Sequence, residues 1–83
     1  AGQTRIQLVA MRDAQSAVAA WQKLKQQHAQ VLGPLSPIFE RADLGDKGVY
    51  HRVQAGPFTD RNAAQAACTA LKAAKQECVV VIR

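Results

Sequence analysis

The chain is poor in aromatic side chains, with one Trp, one Tyr and two Phe in 83 residues. That argues against the clustered rings with which RNA-binding sheets stack bases. Cysteine is limited to Cys68 and Cys78. There is no C-x-x-C pair, and His28 and His51 lie far from both in sequence, so no zinc set is spelled out. No apolar run approaches the ~20 residues that span a bilayer, which argues against membrane insertion by this segment. Acidic residues number six, against eleven Lys and Arg. A glycan hydrolase needs two placed carboxylates. Here Asp13 and Asp60 read as helix caps, while Glu40, Asp43, Asp46 and Glu77 fall in or beside short strands and connections. Neither a Ser-His-acid constellation nor a Gly-rich phosphate loop occurs, so the chain reads as non-catalytic, with no cofactor and no metal. An initiator Met and a signal segment are also missing, which reads as a single domain, 1–83, excised from a longer protein.

What is present is organised around Val49–Phe58, VYHRVQAGPF. Val49, His51, Val53 and Ala55 alternate with Tyr50, Arg52 and Gln54, the period of a strand, which sends the two sets to opposite faces of a sheet. One face is small and apolar apart from His51. The other carries a ring, a guanidinium and an amide in a row, a polar surface able to bind a ligand. Gly56-Pro57 is expected to end the strand.

The same pattern occurs 47 positions earlier. Arg5–Leu32 aligns with Arg52–Val79 without a gap and with eight identities in 28 positions, among them Arg5/Arg52, Gln7/Gln54 and Asp13/Asp60. Two copies of a strand–helix–strand unit follow. In chain order, Arg5–Met11 is a strand with Ile6, Leu8 and Ala10 toward the core and Arg5, Gln7 and Val9 outward. Asp13 caps a helix to about Gln27, with Ala17, Ala20, Trp21, Leu24 and His28 on one face and Trp21 as core packing. Gln30–Pro37 is a connection, Pro37–Ala42 a short strand and Asp43–Gly48 a polar hairpin loop. Asp60 caps a second helix through about Lys75, burying Ala64, Ala67, Cys68 and Leu71. Cys78–Ile82 is the last strand, with Val80 and Ile82 facing the helices with Cys78 and with Val79 and Val81 on the open face. The fold class is α+β: a β-α-β-β-α-β, ferredoxin- or RNP-like arrangement, with a four-stranded antiparallel sheet, both helices on one face and the other face open. Cys68 and Cys78 are either buried thiols or a disulfide. Cys68 on the sheet-facing side of a helix and Cys78 at the head of the next strand fit the ~5.5–6 Å Cα separation of a disulfide, which would staple a small core and imply an oxidising compartment.

The net charge of +5 is spread without a block. It reads as a solvated surface or as attraction to a polyanion such as nucleic acid, an anionic membrane surface or a cell-wall polymer.

With RIQLVAM and its alanine-rich helix, YHRVQAGPF with a second helix, and CVVVI, the chain resembles the SPOR domain, the sporulation-related repeat of bacterial envelope proteins, over about residues 5–82. The first copy departs from the family pattern: Val9, Ala10 and Met11 stand where a Gly and a small hydroxyl residue usually precede a Phe, and Ala10 replaces a frequent serine contact. The resemblance implies binding of peptidoglycan glycan strands, with preference for strands lacking stem peptides, as a means of bringing a parent protein to the division septum. It implies a periplasmic location, as the C-terminal domain of a membrane- or lipid-anchored protein. It places the contacts on the sheet face away from the helices, at Gln7, Tyr50 and Arg52, with Gln54 adjacent and Arg5 as a further candidate. A monomer is expected. Two other readings are an RNP-like single-stranded nucleic-acid binder, disfavoured by the lone Tyr50, and a protein–protein module for other division proteins with a Val9, Val79 and Val81 patch.

Overall fold

The computed structural model describes residues 3–83. β1 (Thr4–Met11) leads to α1 (Ala14–Gln27), a single further turn α2 (Ala29–Leu32), β2 (Ser36–Asp43), a 3-10 turn (Gly45–Lys47), β3 (Val49–Phe58), α3 (Arg61–Ala73) and β4 (Val79–Ile82). The four strands form one antiparallel sheet in the order β2-β3-β1-β4, with the helices packed on one face. The fold is therefore the expected α+β arrangement.

Both copies of the repeat start their helices in the same way. The Asp13 carboxylate accepts from the Ser16 N–H at 2.7 Å, and Asp60 accepts from Ala63 N–H at 2.7 Å. Each satisfies an N–H that the first turn leaves without an intrahelical partner. The Ser16 N–H also holds the Asp13 carboxyl below its ordinary value. The copies part after Lys25 and Lys72. Where the second copy moves into β4, the first makes α2, which drives Leu32, fully buried, into the core.

The core is a single cluster between sheet and helices. Ile6 and Leu8 of β1 and Val53 and Ala55 of β3 meet Ala17, Trp21 and Leu24 of α1 and Ala64, Cys68 and Leu71 of α3. Trp21 is core, as its helical spacing suggested. Cys68 and Cys78 form a disulfide across a Cα separation of 5.1 Å, joining α3 to the residue before β4.

Several sequence expectations are corrected. β1 changes phase: Gln7 lies opposite Gln54, but Val9 lies opposite Val53 and Ala10 opposite Arg52. The extra residue is a β-bulge at Leu8–Val9, and a bulge re-aims every side chain after it. Val9 and Met11 therefore pack against the core, and Ala10 moves to the open face. Val9 is lost from the apolar patch envisaged with Val79 and Val81. A second irregularity lies at the other end, where Thr4 pairs with Phe58 and Ile6 with Ala55. It lets β3 run through Gly56-Pro57, a cis peptide, to Phe58 instead of stopping there. Gly56 lies so close to β1 that a Cβ would sit 3.2 Å from the Thr4 carbonyl oxygen. α3 ends at Ala73, short of Lys75. β4 begins at Val79, one residue after Cys78, and Ile82 is 52% exposed where it was expected to face the helices.

Candidate functional site

Register fixes which side chains share the open face. Opposed residues of antiparallel strands point the same way. Ile38, Glu40 and Ala42 of β2 lie against Gln54, Arg52 and Tyr50 of β3. Gln7 and Ala10 of β1 lie against Gln54 and Arg52, and Val79 and Val81 of β4 against Gln7 and Arg5. The sheet thus brings Arg5, Gln7, Tyr50, Arg52 and Gln54 to one surface.

The centre is the pair of glutamines that occupy equivalent positions in the two repeats. Gln54 Nε2 donates to Gln7 Oε1 at 3.1 Å, and Gln54 Oε1 accepts from Arg5 Nη1 at 3.0 Å. Although Gln54 is on the open face, its side chain is wholly covered, the one buried polar residue among those described. It offers no surface to a ligand. Its two hydrogen bonds fix the Gln7 amide and the Arg5 guanidinium, which do reach the surface. Arg5 is also tied through Nε to Gln3 Oε1 at 2.6 Å.

Around this pair lies a charge cluster that sequence reasoning missed. Glu40 of β2 takes Arg83 side-on, with Nε on Oε2 at 2.6 Å and Nη2 on Oε1 at 2.9 Å. Arg52 Nη1 donates to the same Oε1 at 3.2 Å, and Arg5 Nη1 stands 3.6 Å from Oε2. Bonding to Arg83 first, and then to Arg52, holds the Glu40 carboxyl down at about 2 against partial burial, which acts the other way. The same contact raises Arg83 above its already high value. A signal for Glu40 did exist, since Ile38, Glu40 and Ala42 alternate in the strand that hairpins onto Arg52. Its partner depended on the hairpin register. Arg83 lies one residue past the last expected strand, held there by reciprocal backbone bonds with Gln3.

A third feature ends the row. The Arg12 guanidinium lies over the Tyr50 ring at 4.7 Å from its centroid, a cation–π contact. Arg12 Nη1 also donates to the Lys47 carbonyl of the 3-10 turn at 2.9 Å. Gly48, at φ 92°, makes room for it: a Cβ there would come within 3.2 Å of Arg12 Nη1. Of the other aromatic residues, Trp21 and Phe58 pack with the core, and Phe39 sits opposite core-facing Val53. Tyr50 is thus the only ring on this face among the described residues, where RNA-binding sheets stack bases on two or three. Arg12 was not singled out from sequence, because the bulge that sets its side is not legible there.

The face is therefore a row of Arg83, Glu40, Arg5, Arg52, Gln7 and Tyr50 with Arg12. Such groups suit hydroxyls, carbonyls and anionic groups, with one aromatic ring for C–H surfaces. Two grooves among the described residues, about 440 and 430 Å³, open elsewhere, along the helices and beside the Lys75–Glu77 turn. Among the described residues no His, Cys, Asp and Glu cluster has metal-site geometry, and no helix is long and apolar enough to cross a membrane.

Comparison with known proteins bears on the whole chain. No curated protein sequence matches it. Among solved structures, the peptidoglycan-binding domain of the Bacillus subtilis cell wall lytic enzyme CwlC superposes with a TM-score of 0.69 at 19% identity, covering 100% of this chain and 91% of that one. The SPOR domain of RlpA from Pseudomonas aeruginosa also gives 0.69, at 15% identity and 94% and 96% coverage. At these identities the likeness establishes the fold. The family model for the SPOR domain matches residues 1–82, and the chain accordingly belongs to the SPOR domain family.

Proposed function

We propose that this domain binds the glycan strands of peptidoglycan on its open sheet face, without catalysis, and prefers strands that lack stem peptides. In the cell this serves to hold a larger envelope protein, anchored by membrane segment or lipid, at the periplasmic side of the division septum. The observation that carries the reading is the row of Gln7, Arg5 and Arg52, connected through Gln54 and Glu40, with Tyr50 on the same face of β3 as Arg52. All four strands contribute to its surroundings, and the buried Gln54 holds Gln7 and Arg5 in place. Preorganised polar groups on strands lose little entropy on binding a sugar. Membership of the SPOR family and the likeness to the CwlC domain, itself a peptidoglycan-binding domain, support the same ligand class.

The test is co-sedimentation of the purified domain with sacculi, intact and after amidase removal of stem peptides. Stronger pelleting with stripped sacculi is expected, together with its loss in the Gln7→Ala/Arg52→Gln variant. Because Gln7 accepts from the buried Gln54 amide, that variant should also lose about 1 kcal/mol of stability and still fold. Equal, weak and salt-abolished pelleting with both sacculi would reduce the interaction to charge attraction and sink the proposal.

A further inference from the structure

We infer that the Arg5, Arg52 and Arg83 cluster is a carboxylate-binding subsite, in which Glu40 is a resident counter-ion beside which a free carboxylate of the glycan is taken. The inference rests on the glycan-binding reading and names the group on the ligand that decides its preference.

Charge is the first argument. Three guanidiniums from β1, β3 and the end of β4 converge on one carboxylate from β2. No other carboxylate is ion-paired with them among the described residues. Three positive charges against one negative leave an excess of two at one place on the face. Guanidiniums stay charged at every relevant pH, so the cluster cannot relieve its repulsion by losing protons. It relieves it by drawing in an anion.

Unused donors are the second argument. A guanidinium carries five N–H groups. Arg52 uses only Nη1, on Glu40, and Arg5 uses Nε and Nη1. No buried side-chain nitrogen or oxygen among the described residues lacks a partner, so the remaining N–H groups of Arg5 and Arg52 face solvent. Their side chains are 19% and 28% exposed, and that of Arg83 37%. The planar fork of Arg83 that already holds Glu40 side-on shows the two-pronged geometry a second carboxylate requires. Arg5 is fixed by Gln54 and Gln3 before any ligand arrives.

The chemistry of the ligand supplies the rest. The lactyl carboxyl of muramic acid is an amide wherever a stem peptide is attached and a free carboxylate where it has been removed. A site with two surplus positive charges and open donors separates those two states by charge alone. Stem-peptide preference then needs no steric exclusion of the peptide.

The experiment compares three solubilised ligands: stripped strands, stripped strands whose carboxylates have been converted to methylamides, and peptide-bearing strands. Affinities for the wild type, Glu40→Gln and Arg83→Gln are measured, with circular dichroism to establish the fold of each. Stripped strands should bind at least tenfold more tightly than their methylamides, the size of a charge-assisted bond. Arg83→Gln should shrink that ratio to about twofold. Glu40→Gln, which removes the competing carboxylate, should tighten binding of stripped strands severalfold and steepen its salt dependence. Equal affinity for strands and methylamides overturns the subsite and leaves glycan binding standing. Failure to bind either overturns both. Weaker binding of stripped strands by folded Glu40→Gln overturns the counter-ion role and with it the subsite.

Discussion

Glu40 shows how one residue's surroundings change its part. In sequence it is an isolated acid in a short strand; in the fold it is bonded by Arg83 and Arg52, with Arg5 beside it. A carboxyl lowered from 4.5 to about 2 in the folded chain binds its proton less readily there than in the unfolded chain. Its contribution to stability is therefore fully present above about pH 4.5 and is lost as the pH falls through about 2. Because its side chain is 23% exposed, solvent screening limits that contribution to about 1 kcal/mol. Urea unfolding of wild type and Glu40→Gln should differ by about that amount at pH 6, with the gap closing by pH 2. A gap that persists unchanged at pH 2 would mean that Glu40 acts through packing and not through its charge. Gln54 makes the complementary point: a polar residue in a polar row is wholly buried, because the register gives both ends of its amide partners.

At the scale of elements, the strands and both Asp caps were legible because they are local. Period-2 alternation marks β3, and a short carboxylate three residues before a free N–H marks each helix start. The phase of β1 was not legible. Leu8, Val9, Ala10 and Met11 are four apolar residues in a row, a run with no alternation from which to read a face, and the bulge decides it. Glu40 depended on a register set by a loop that proved to be a 3-10 turn, and Arg83 and Arg12 lay just outside the expected elements. The end of α3 was also misjudged, for a reason that can be tested. After Ala74 the chain turns at Lys75, whose φ is 66°. The Gln76 N–H reaches the Leu71 carbonyl at 2.8 Å and the Lys75 N–H the Lys72 carbonyl at 2.9 Å, the paired bonds of a Schellman ending. The left-handed position normally belongs to Gly, so a sequence reader sees Lys and continues the helix. Lys75→Gly should relieve this strain and stabilise the domain by about 0.5–1 kcal/mol, net of Gly's extra freedom when unfolded. Lys75→Val should do the opposite. Equal urea midpoints for all three chains would show that the turn carries no strain.

At the scale of the molecule, two faces divide the work. The helix side holds the apolar residues and the disulfide; the open side holds the arginines, the glutamines and Tyr50. An 83-residue chain whose buried residues include three alanines has little apolar area to spare. A covalent link between α3 and β4 is therefore a large fraction of its stability. Cys68 and Cys78 are ten positions apart, and both are buried. Constraining a loop of that size in the unfolded chain contributes about 2–3 kcal/mol. Cys68→Ser/Cys78→Ser should therefore lower the melting temperature by roughly 10–20 °C, and the buried hydroxyls add to the loss. Neither cysteine contributes to the open face. Below the lowered melting temperature, the variant should pellet with stripped sacculi as the wild type does. Wild-type melting in the variant would mean that the disulfide is dispensable to the fold. Normal melting behaviour at the lowered temperature but lost pelleting would mean that the two faces are coupled through β1, the strand that pairs with β4 and carries both Arg5 and Gln7.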